Sequence, residues 1–126
     1  MRLAAIDIGS NAARLLITDV MAGPQGNTEF IKTVLVRVPL RLGFDVFDKG
    51  LISPGKVEKI VKTIKSYRLL LDVYEVKHWK ACATSAMRDA ANAPEIIRQV
   101  KEETGLEIEV ISGDQEASLI YENHIA

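Results

Sequence analysis

The stretch that decides the fold is LAAIDIGSNAARLLITDVM, residues 3–21. Leu3–Ile8 predicts a short apolar strand that ends at Gly9 and Ser10. Arg14–Met21 predicts a second strand, and a gap of about four residues between two strands is typical of a β-hairpin. The chain therefore begins with a tight turn where a dinucleotide-binding fold would place a helix after the first strand.

Outward from this hairpin, the sequence alternates strand and helix signals. Turn residues at 22–27 precede a third predicted strand, Phe30–Val38, and residues 41–50 are expected to form a loop. Ser53 and Pro54 favour the start of a long helix that ends before Val76. The next predicted elements are a strand at His78–Ala83 and a helix from Asn92 to Gly105, in which Glu95 is the capping-box partner of Asn92. A strand at Leu106–Ile111 and a last helix from Ser112 follow.

The order β-β-β-α-β-α-β-α predicts an α/β domain with a mixed five-stranded sheet, as in a ribonuclease H-like or actin-like lobe. A length of 126 residues predicts a single domain with a real core. The 16 basic and 17 acidic residues leave a net charge of −1, which gives no support to a nucleic-acid coat or a membrane-surface protein.

The lone cysteine, Cys82, excludes an internal disulfide framework or a Cys-rich zinc site, and we expect it to be a buried core thiol. The apolar run at the N-terminus is too short for a signal peptide. No stretch approaches the roughly 20 apolar residues that cross a bilayer. We therefore expect a soluble, cytoplasmic chain that binds neither membrane nor nucleic acid.

Three polar segments each follow a predicted strand: residues 7–11 (DIGSN), residues 83–88 (ATSAMR) and residues 111–116 (ISGDQE). Loops at the carboxyl ends of the strands in an α/β sheet converge on one ligand site. Small residues, hydroxyls and backbone donors suit phosphate oxygens. The three segments therefore predict one shared site for a phosphate ester or anhydride.

In the first segment, Gly9, Ser10 and Asn11 can direct backbone N–H groups inward as an anion nest, and Asp7 could face a metal ion that neutralises phosphate charge. The alternative is an ordinary hairpin whose Gly and Asn supply positive φ.

In the second segment, Arg88 presents a planar fork that matches phosphate. The alternative is that Ser85 caps a short helical turn and Arg88 pairs with Asp89 or another surface acid.

The third segment begins a predicted helix, and the free N–H groups of a helix N-terminus attract anions. Glu116 would lie in the first turn, where it is either a catalytic carboxylate or a side chain that complements the helix dipole. The lysines at 56, 59, 62 and 65 favour a solvated helix face over a polyanion site. Neither His78 nor His124 has metal-ligand spacing to a cysteine or a second histidine.

These residues resemble the N-terminal lobe of the exopolyphosphatase and guanosine pentaphosphate phosphatase (Ppx/GppA) family, which belongs to the sugar kinase, Hsp70 and actin superfamily. The resemblance covers nearly the whole chain. The matching stretches are residues 5–11 (AIDIGSN), 14–16 (RLL), 41–43 (RLG), 83–92 (ATSAMRDAAN), 103–105 (ETG), 110–113 (VISG) and 116–117 (EA).

The resemblance implies a phosphohydrolase that releases terminal phosphate from inorganic polyphosphate or guanosine pentaphosphate. It implies that Glu116 is the base for the attacking water and that Asp7 lies near a Mg²⁺ ion. The residues implied to cradle phosphate are Gly9, Ser10, Asn11, Arg88, Ser112 and Gly113.

The chain departs from the family pattern at Ala12, where a hydroxyl residue is common, and at Gln115, where glutamate is common. It also corresponds to one lobe, residues 1–126, of a two-lobe phosphatase whose second lobe is absent. We therefore expect the isolated lobe to be nearly inactive. Its exposed edge should be apolar and promote self-association, with a homodimer as one outcome.

Two further functions stay open at this point. One is a non-catalytic module that binds phosphate or guanosine tetraphosphate. The other is a kinase-type lobe of the same superfamily that uses ATP.

Overall fold

The computed structural model describes residues 1–24 and 26–111. Its strands are β1 (Arg2–Ile8), β2 (Ala12–Ala22), β3 (Thr28–Pro39), β4 (His78–Ala83) and β5 (Ile108–Val110). Its helices are α1 (Leu42–Lys49), α2 (Pro54–Val73), α3 (Ser85–Asp89) and α4 (Ala93–Thr104).

The five strands form one mixed sheet in the order β3-β2-β1-β4-β5. Strands β1, β2 and β3 pair antiparallel, because short turns join them. Strands β4 and β5 pair parallel to β1 and to each other, because helices connect them. The α/β class and the five predicted strands are therefore confirmed.

Helices α2 and α4 pack against each other, and their apolar side chains share one core with alternate residues of the strands. The largest side chains in this core are almost fully buried: Ile6, Ile8, Leu15, Ile17, Ile60, Ile64, Tyr67, Leu71 and Ile96. Register pairs Ile6 with Leu15 on β2 and with Ala81 on β4, so these residues share the helix-covered face. The opposite face carries Asp7 and its neighbours on the adjacent strands.

The prediction of a loop at 41–50 was wrong, because Leu42–Lys49 forms helix α1. Leu42 is fully buried, and Gly50 ends the helix in the left-handed conformation with its N–H bonded to the Val46 carbonyl. Burial of one apolar side chain and a glycine C-cap together stabilise a helix of only two turns.

The prediction of a capping box at Asn92 was also wrong in its chemistry. Asn92 does precede α4, but its side chain makes no cap hydrogen bond. The amide instead exchanges two bonds with the backbone of Ile52, at 2.9 Å to the N–H and 2.8 Å to the carbonyl. The Asn92 side chain thus satisfies the buried backbone of Ile52, 40 residues away, instead of capping its own helix.

Other expectations are confirmed. Ser53 and Pro54 begin α2, although the Ser53 side chain makes no cap hydrogen bond, and Gly105 ends α4 in the left-handed conformation. Cys82 is buried, and this burial raises the pKa of its thiol. The helix expected from Ser112 lies outside the described residues.

Three of the four lysine side chains on α2 form ion pairs with neighbouring acids. Lys56 lies 3.2 Å from Asp45, and Lys65 lies 2.9 Å from Glu103 on α4. Lys62 pairs with Glu58 one turn earlier in the same helix. These contacts agree with the expected solvated face. Within the described ranges, every helix is too short or too polar to cross a bilayer.

Candidate functional site

The ends of β1, β4 and β5 meet through backbone hydrogen bonds. The Thr84 N–H donates to the Ile8 carbonyl at 3.1 Å, and the Ile111 N–H donates to the Ala83 carbonyl at 2.9 Å. The first two polar segments and Ile111, the first residue of the third, therefore lie side by side at one edge of the sheet, as the strand order requires. This confirms the predicted convergence as far as Ile111.

The loop between β1 and β2, Gly9–Asn11 (the first loop), is held by its carbonyl groups. The Ser10 carbonyl accepts the Gly43 N–H at 3.0 Å, and the Asn11 carbonyl accepts the N–H groups of Leu40 and Arg41 at 2.9 Å each. The N–H groups of Ser10 and Asn11 donate to no other residue in the described ranges. Two backbone donors are thus available for an anion, as a nest requires.

Backbone geometry removes the reason that the hairpin alternative gave for Gly9 and Asn11, although β1 and β2 do form a hairpin. The described residues with positive φ are Gly26, Gly50, Gly105, Arg41 and Glu75. Gly9 and Asn11 are absent from this set, so neither is needed for a left-handed turn. A Cβ at Gly9 would lie 3.4 Å from the Ala12 carbonyl oxygen and 4.0 Å from Thr84 Oγ1, which are ordinary van der Waals contacts.

A side-chain contact joins the first loop to the segment after β4. Ser10 Oγ lies 2.6 Å from Ser85 Oγ, and either hydroxyl could be the donor. A cavity of about 410 Å³ opens here. It is lined by Asp7, Gly9, Ser10, Asn11, Ala12, Arg14, Arg37, Thr84 and Ser85. We call this space the loop cavity.

Asp7 lies at the floor of the loop cavity and is paired. Arg14 donates to its Oδ2 at 2.8 Å, and register places the two residues opposite each other on β1 and β2. The Asp7 side chain is 21% exposed and that of Arg14 is 48% exposed. On the other side, Asp7 pairs in register with Cys82, and burial raises the pKa of that thiol.

Sequence reasoning missed Arg14 and Arg37 as site residues. Register pairs Arg37 on β3 with Arg14 on β2, so both side chains rise from the face that carries Asp7. Strand alternation could have placed Arg14 beside Asp7, because the hairpin length fixes their pairing. Nothing local marks Arg37, since a β3 residue reaches the cavity only through the sheet order.

Arg88 lies beside the third segment and outside the residues that line the loop cavity. Its Nη1 donates to the Ile111 carbonyl at 2.8 Å. Arg88 forms no ion pair with Asp89 in the described ranges. One N–H of the guanidinium thus holds the backbone at the end of β5, and the other four donate to no residue in the described ranges.

Three predicted site residues, Ser112, Gly113 and Glu116, lie outside the described residues. Thr84, in the segment after β4, is nearly fully buried and forms the N-cap position of α3. The short helical turn of the alternative interpretation is present, but the prediction that Ser85 caps it was wrong, because Thr84 holds the N-cap position and the Ser85 hydroxyl bonds to Ser10.

The loop cavity offers limited ligands for a magnesium ion. Asp7 is the sole carboxylate on its lining, and no group of three His, Cys, Asp or Glu side chains clusters in the described part of the chain. Mg²⁺ commonly keeps several waters and binds through one or two carboxylates together with substrate phosphates. The residues present therefore fit an ion that arrives with its phosphate ligand, rather than a permanent cage.

In chemical terms, the loop cavity combines two free backbone donors, three hydroxyls and two guanidinium groups around one carboxylate. Such donors stabilise a multiply charged oxyanion, and the excess of one positive charge favours it further. The described residues of the cavity contain no nucleophile with an adjacent base. They can bind and orient a phosphate group.

Comparisons with known proteins show which sequences and structures this chain is similar to. The family model described as the Ppx/GppA phosphatase family matches residues 26–125. The bifunctional 3-dehydroquinate synthase/phosphatase of Fusobacterium nucleatum is 36% identical over 126 residues, which is 98% of this chain and 19% of that protein. Exopolyphosphatase 1 of Mycobacterium tuberculosis is 30% identical over 125 residues, which is 96% of this chain and 34% of that protein.

The crystal structure of the Aquifex aeolicus member of the Ppx/GppA family superposes with a TM-score of 0.82 at 37% identity, covering 92% of this chain and 36% of that chain. The chain thus spans about a third or less of the length of these relatives. The likeness confirms the expected actin-like fold. Because its sequence matches the family model over most of its length and its fold matches a solved member, the chain belongs to the Ppx/GppA phosphatase family.

Proposed function

We propose that this chain is the first lobe, residues 1–126, of a two-lobe phosphohydrolase that removes terminal phosphate from inorganic polyphosphate or guanosine pentaphosphate. The observation that carries the proposal is the loop cavity. Ser10 and Asn11, whose N–H groups donate to no described residue, line it together with the hydroxyl pair of Ser10 and Ser85. Family membership supports phosphatase chemistry for a protein with this lobe.

The proposed reaction needs more positioning than covalent chemistry. Phosphoryl transfer depends chiefly on alignment and on stabilising charge on the phosphate oxygens, which donors such as the first loop and Arg88 provide. Glu116 is the proposed base that takes a proton from the attacking water. Its role rests on the family resemblance. Ser112 and Gly113 are proposed to complete the phosphate cradle with Gly9.

We propose that Asp7 holds Mg²⁺ in the working site. When bound, such an ion neutralises charge on the phosphate oxygens. Arg14 competes for the same carboxylate, because its guanidinium already donates to Asp7 Oδ2. The second oxygen of Asp7 accepts no hydrogen bond from the described residues, so it remains available to a cation.

Three further parts of the proposal follow from the same assignment. The isolated lobe hydrolyses very slowly or not at all, because catalysis in this superfamily takes place between two lobes. The protein works in the cytoplasm. Self-association into a homodimer stays a prediction, and the exposed Phe44 and Phe47 on α1 are the apolar side chains that support it.

The test is phosphate release from polyphosphate and from guanosine pentaphosphate, with and without Mg²⁺, by the two-lobe protein. We expect Glu116→Gln to lower the rate by about two orders of magnitude or more, which is the contribution of a general base. Glu102→Gln is the matched control, because it makes the same change at an exposed position on α4.

Each contrary outcome has a distinct meaning. Full activity of Glu116→Gln would refute the base assignment. Binding of guanosine tetraphosphate without any phosphate release would replace the hydrolase by a sensor module. ATP-dependent transfer to an acceptor, without turnover of polyphosphate, would indicate a kinase-type lobe.

A further inference from the structure

We propose that Arg37 forms a subsite for a phosphate group beyond the terminal one, so that the substrate chain crosses the sheet from the first loop toward β3. This inference rests on the proposed function and deepens it. It names a residue that selects a chain of phosphate groups over a single one.

Sheet register places Arg37 in a row of charged side chains. Asp7 on β1 is opposite Arg14 on β2, and Arg14 is opposite Arg37 on β3. Register partners point to the same face, and Arg37 lines the loop cavity together with the other two. The cavity therefore extends from the first loop across two strands.

The charges along this row are unequal. Arg14 is committed to Asp7 at 2.8 Å, so their charges largely offset each other. Arg37 forms neither an ion pair nor a side-chain hydrogen bond with any residue in the ranges 1–24 and 26–111. The Arg37 side chain is exposed. Its planar guanidinium can donate two parallel hydrogen bonds to a phosphate group. The far side of the cavity thus carries the excess positive charge.

The spacing between strands sets how far the subsite lies from the first loop. Adjacent strands lie about 4.8 Å apart, so the backbones of Asp7 and Arg37 are about 10 Å apart. A single phosphate bound by the amides of the first loop lies at one end of this span. A chain of three phosphate groups can contact the first loop and extend to Arg37 at once.

A structural role and a ligand-binding role for Arg37 predict different responses to removal of its side chain. An exposed side chain without a partner in the described ranges contributes little to folding, so its removal should leave stability nearly unchanged. A ligand-binding role instead predicts that its removal affects long phosphate chains most. Comparing two probes of different length separates these two roles.

The experiment is calorimetric titration of the 126-residue chain with inorganic tripolyphosphate and with orthophosphate. Low ionic strength is used, because salt screens exposed charges. We expect tripolyphosphate to bind more tightly than orthophosphate. Arg37→Ala should weaken tripolyphosphate binding by about tenfold, as expected for loss of a charge-assisted contact. It should weaken orthophosphate binding much less.

Two variants control this comparison. Lys32→Ala removes one positive charge from the same strand at a residue that does not line the cavity, and it should leave both affinities within about twofold. Arg37→Lys keeps the charge but loses the planar fork, and it should recover only part of the tripolyphosphate affinity.

The outcomes separate the subsite from the proposed function. Equal weakening of both ligands by Arg37→Ala, or none, overturns the subsite and leaves the phosphate site of the first loop intact. An effect of Lys32→Ala as large as that of Arg37→Ala also overturns it, because the preference would then be general charge attraction. A chain that binds neither anion overturns the phosphate site and the subsite together.

Discussion

The hydroxyl oxygens of Ser10 and Ser85 lie 2.6 Å apart, although 75 residues separate them in the chain. They meet because β1 and β4 are parallel neighbours, so the segments that follow them leave the sheet together. Two hydroxyls carry two protons, and the bond between them uses one. The second proton is free to be donated to a ligand in the loop cavity.

Replacing Ser85 by alanine should therefore weaken phosphate binding. Loss of one neutral hydrogen bond of about 0.5–1.5 kcal/mol corresponds to a loss of affinity of about 2- to 12-fold. Titration with orthophosphate measures this effect. Ser66→Ala is the control, because the Ser66 hydroxyl donates to a carbonyl within α2, at Thr63, and not in the cavity. Unchanged affinity in Ser85→Ala would contradict a role for the hydroxyl pair.

Asp45 should make the stability of the chain fall in acid. Hydrogen bonds from Ser53, then the nearby Lys56, lower the pKa of Asp45 from 3.8 to about 2. Because the folded pKa lies below the unfolded value, the unfolded chain binds more protons between these values. The stabilisation is complete above about pH 4 and is lost as the pH falls toward about 2.

Urea midpoints measured from pH 7 down to about pH 2 test this linkage. Asp45→Asn should be less stable than the unaltered chain at pH 7, and its midpoint should fall less steeply in acid. Asp48→Asn makes the same change at an exposed position on α1 and should keep the steep fall. Parallel curves for the unaltered chain and Asp45→Asn would rule out the assignment to this carboxylate.

Asn92 should stabilise the fold through Ile52 rather than through its own helix. Asn92→Ala removes both hydrogen bonds and leaves two backbone groups of a buried residue without these partners. We expect a loss of about 1–3 kcal/mol in the free energy of unfolding, measured by urea denaturation. Asn92→Asp replaces the donor by a second oxygen that faces the Ile52 carbonyl, so it should not restore stability. A change below about 0.5 kcal/mol in Asn92→Ala would refute the prediction.

Much of the fold could be predicted because its signals are local. The hairpin follows from two apolar runs around Gly9 and Ser10, and α2 follows from Ser53, Pro54 and the apolar period after them. Helix α1 was missed because its stability comes from burying Leu42, a tertiary contact. The prediction that Asn92 caps α4 was wrong for the same reason, because its side chain bonds to the backbone of Ile52, which is also a tertiary contact.

The candidate site was likewise predictable from the sequence only in part. The sequence by itself determined that polar segments follow β1, β4 and β5, because strand periodicity and turn residues are encoded within a few positions. Only the tertiary structure decided that Arg37 lines the loop cavity and that Arg88 donates to Ile111. These placements depend on strand order and side-chain reach between distant parts of the chain, and no short segment of sequence encodes either.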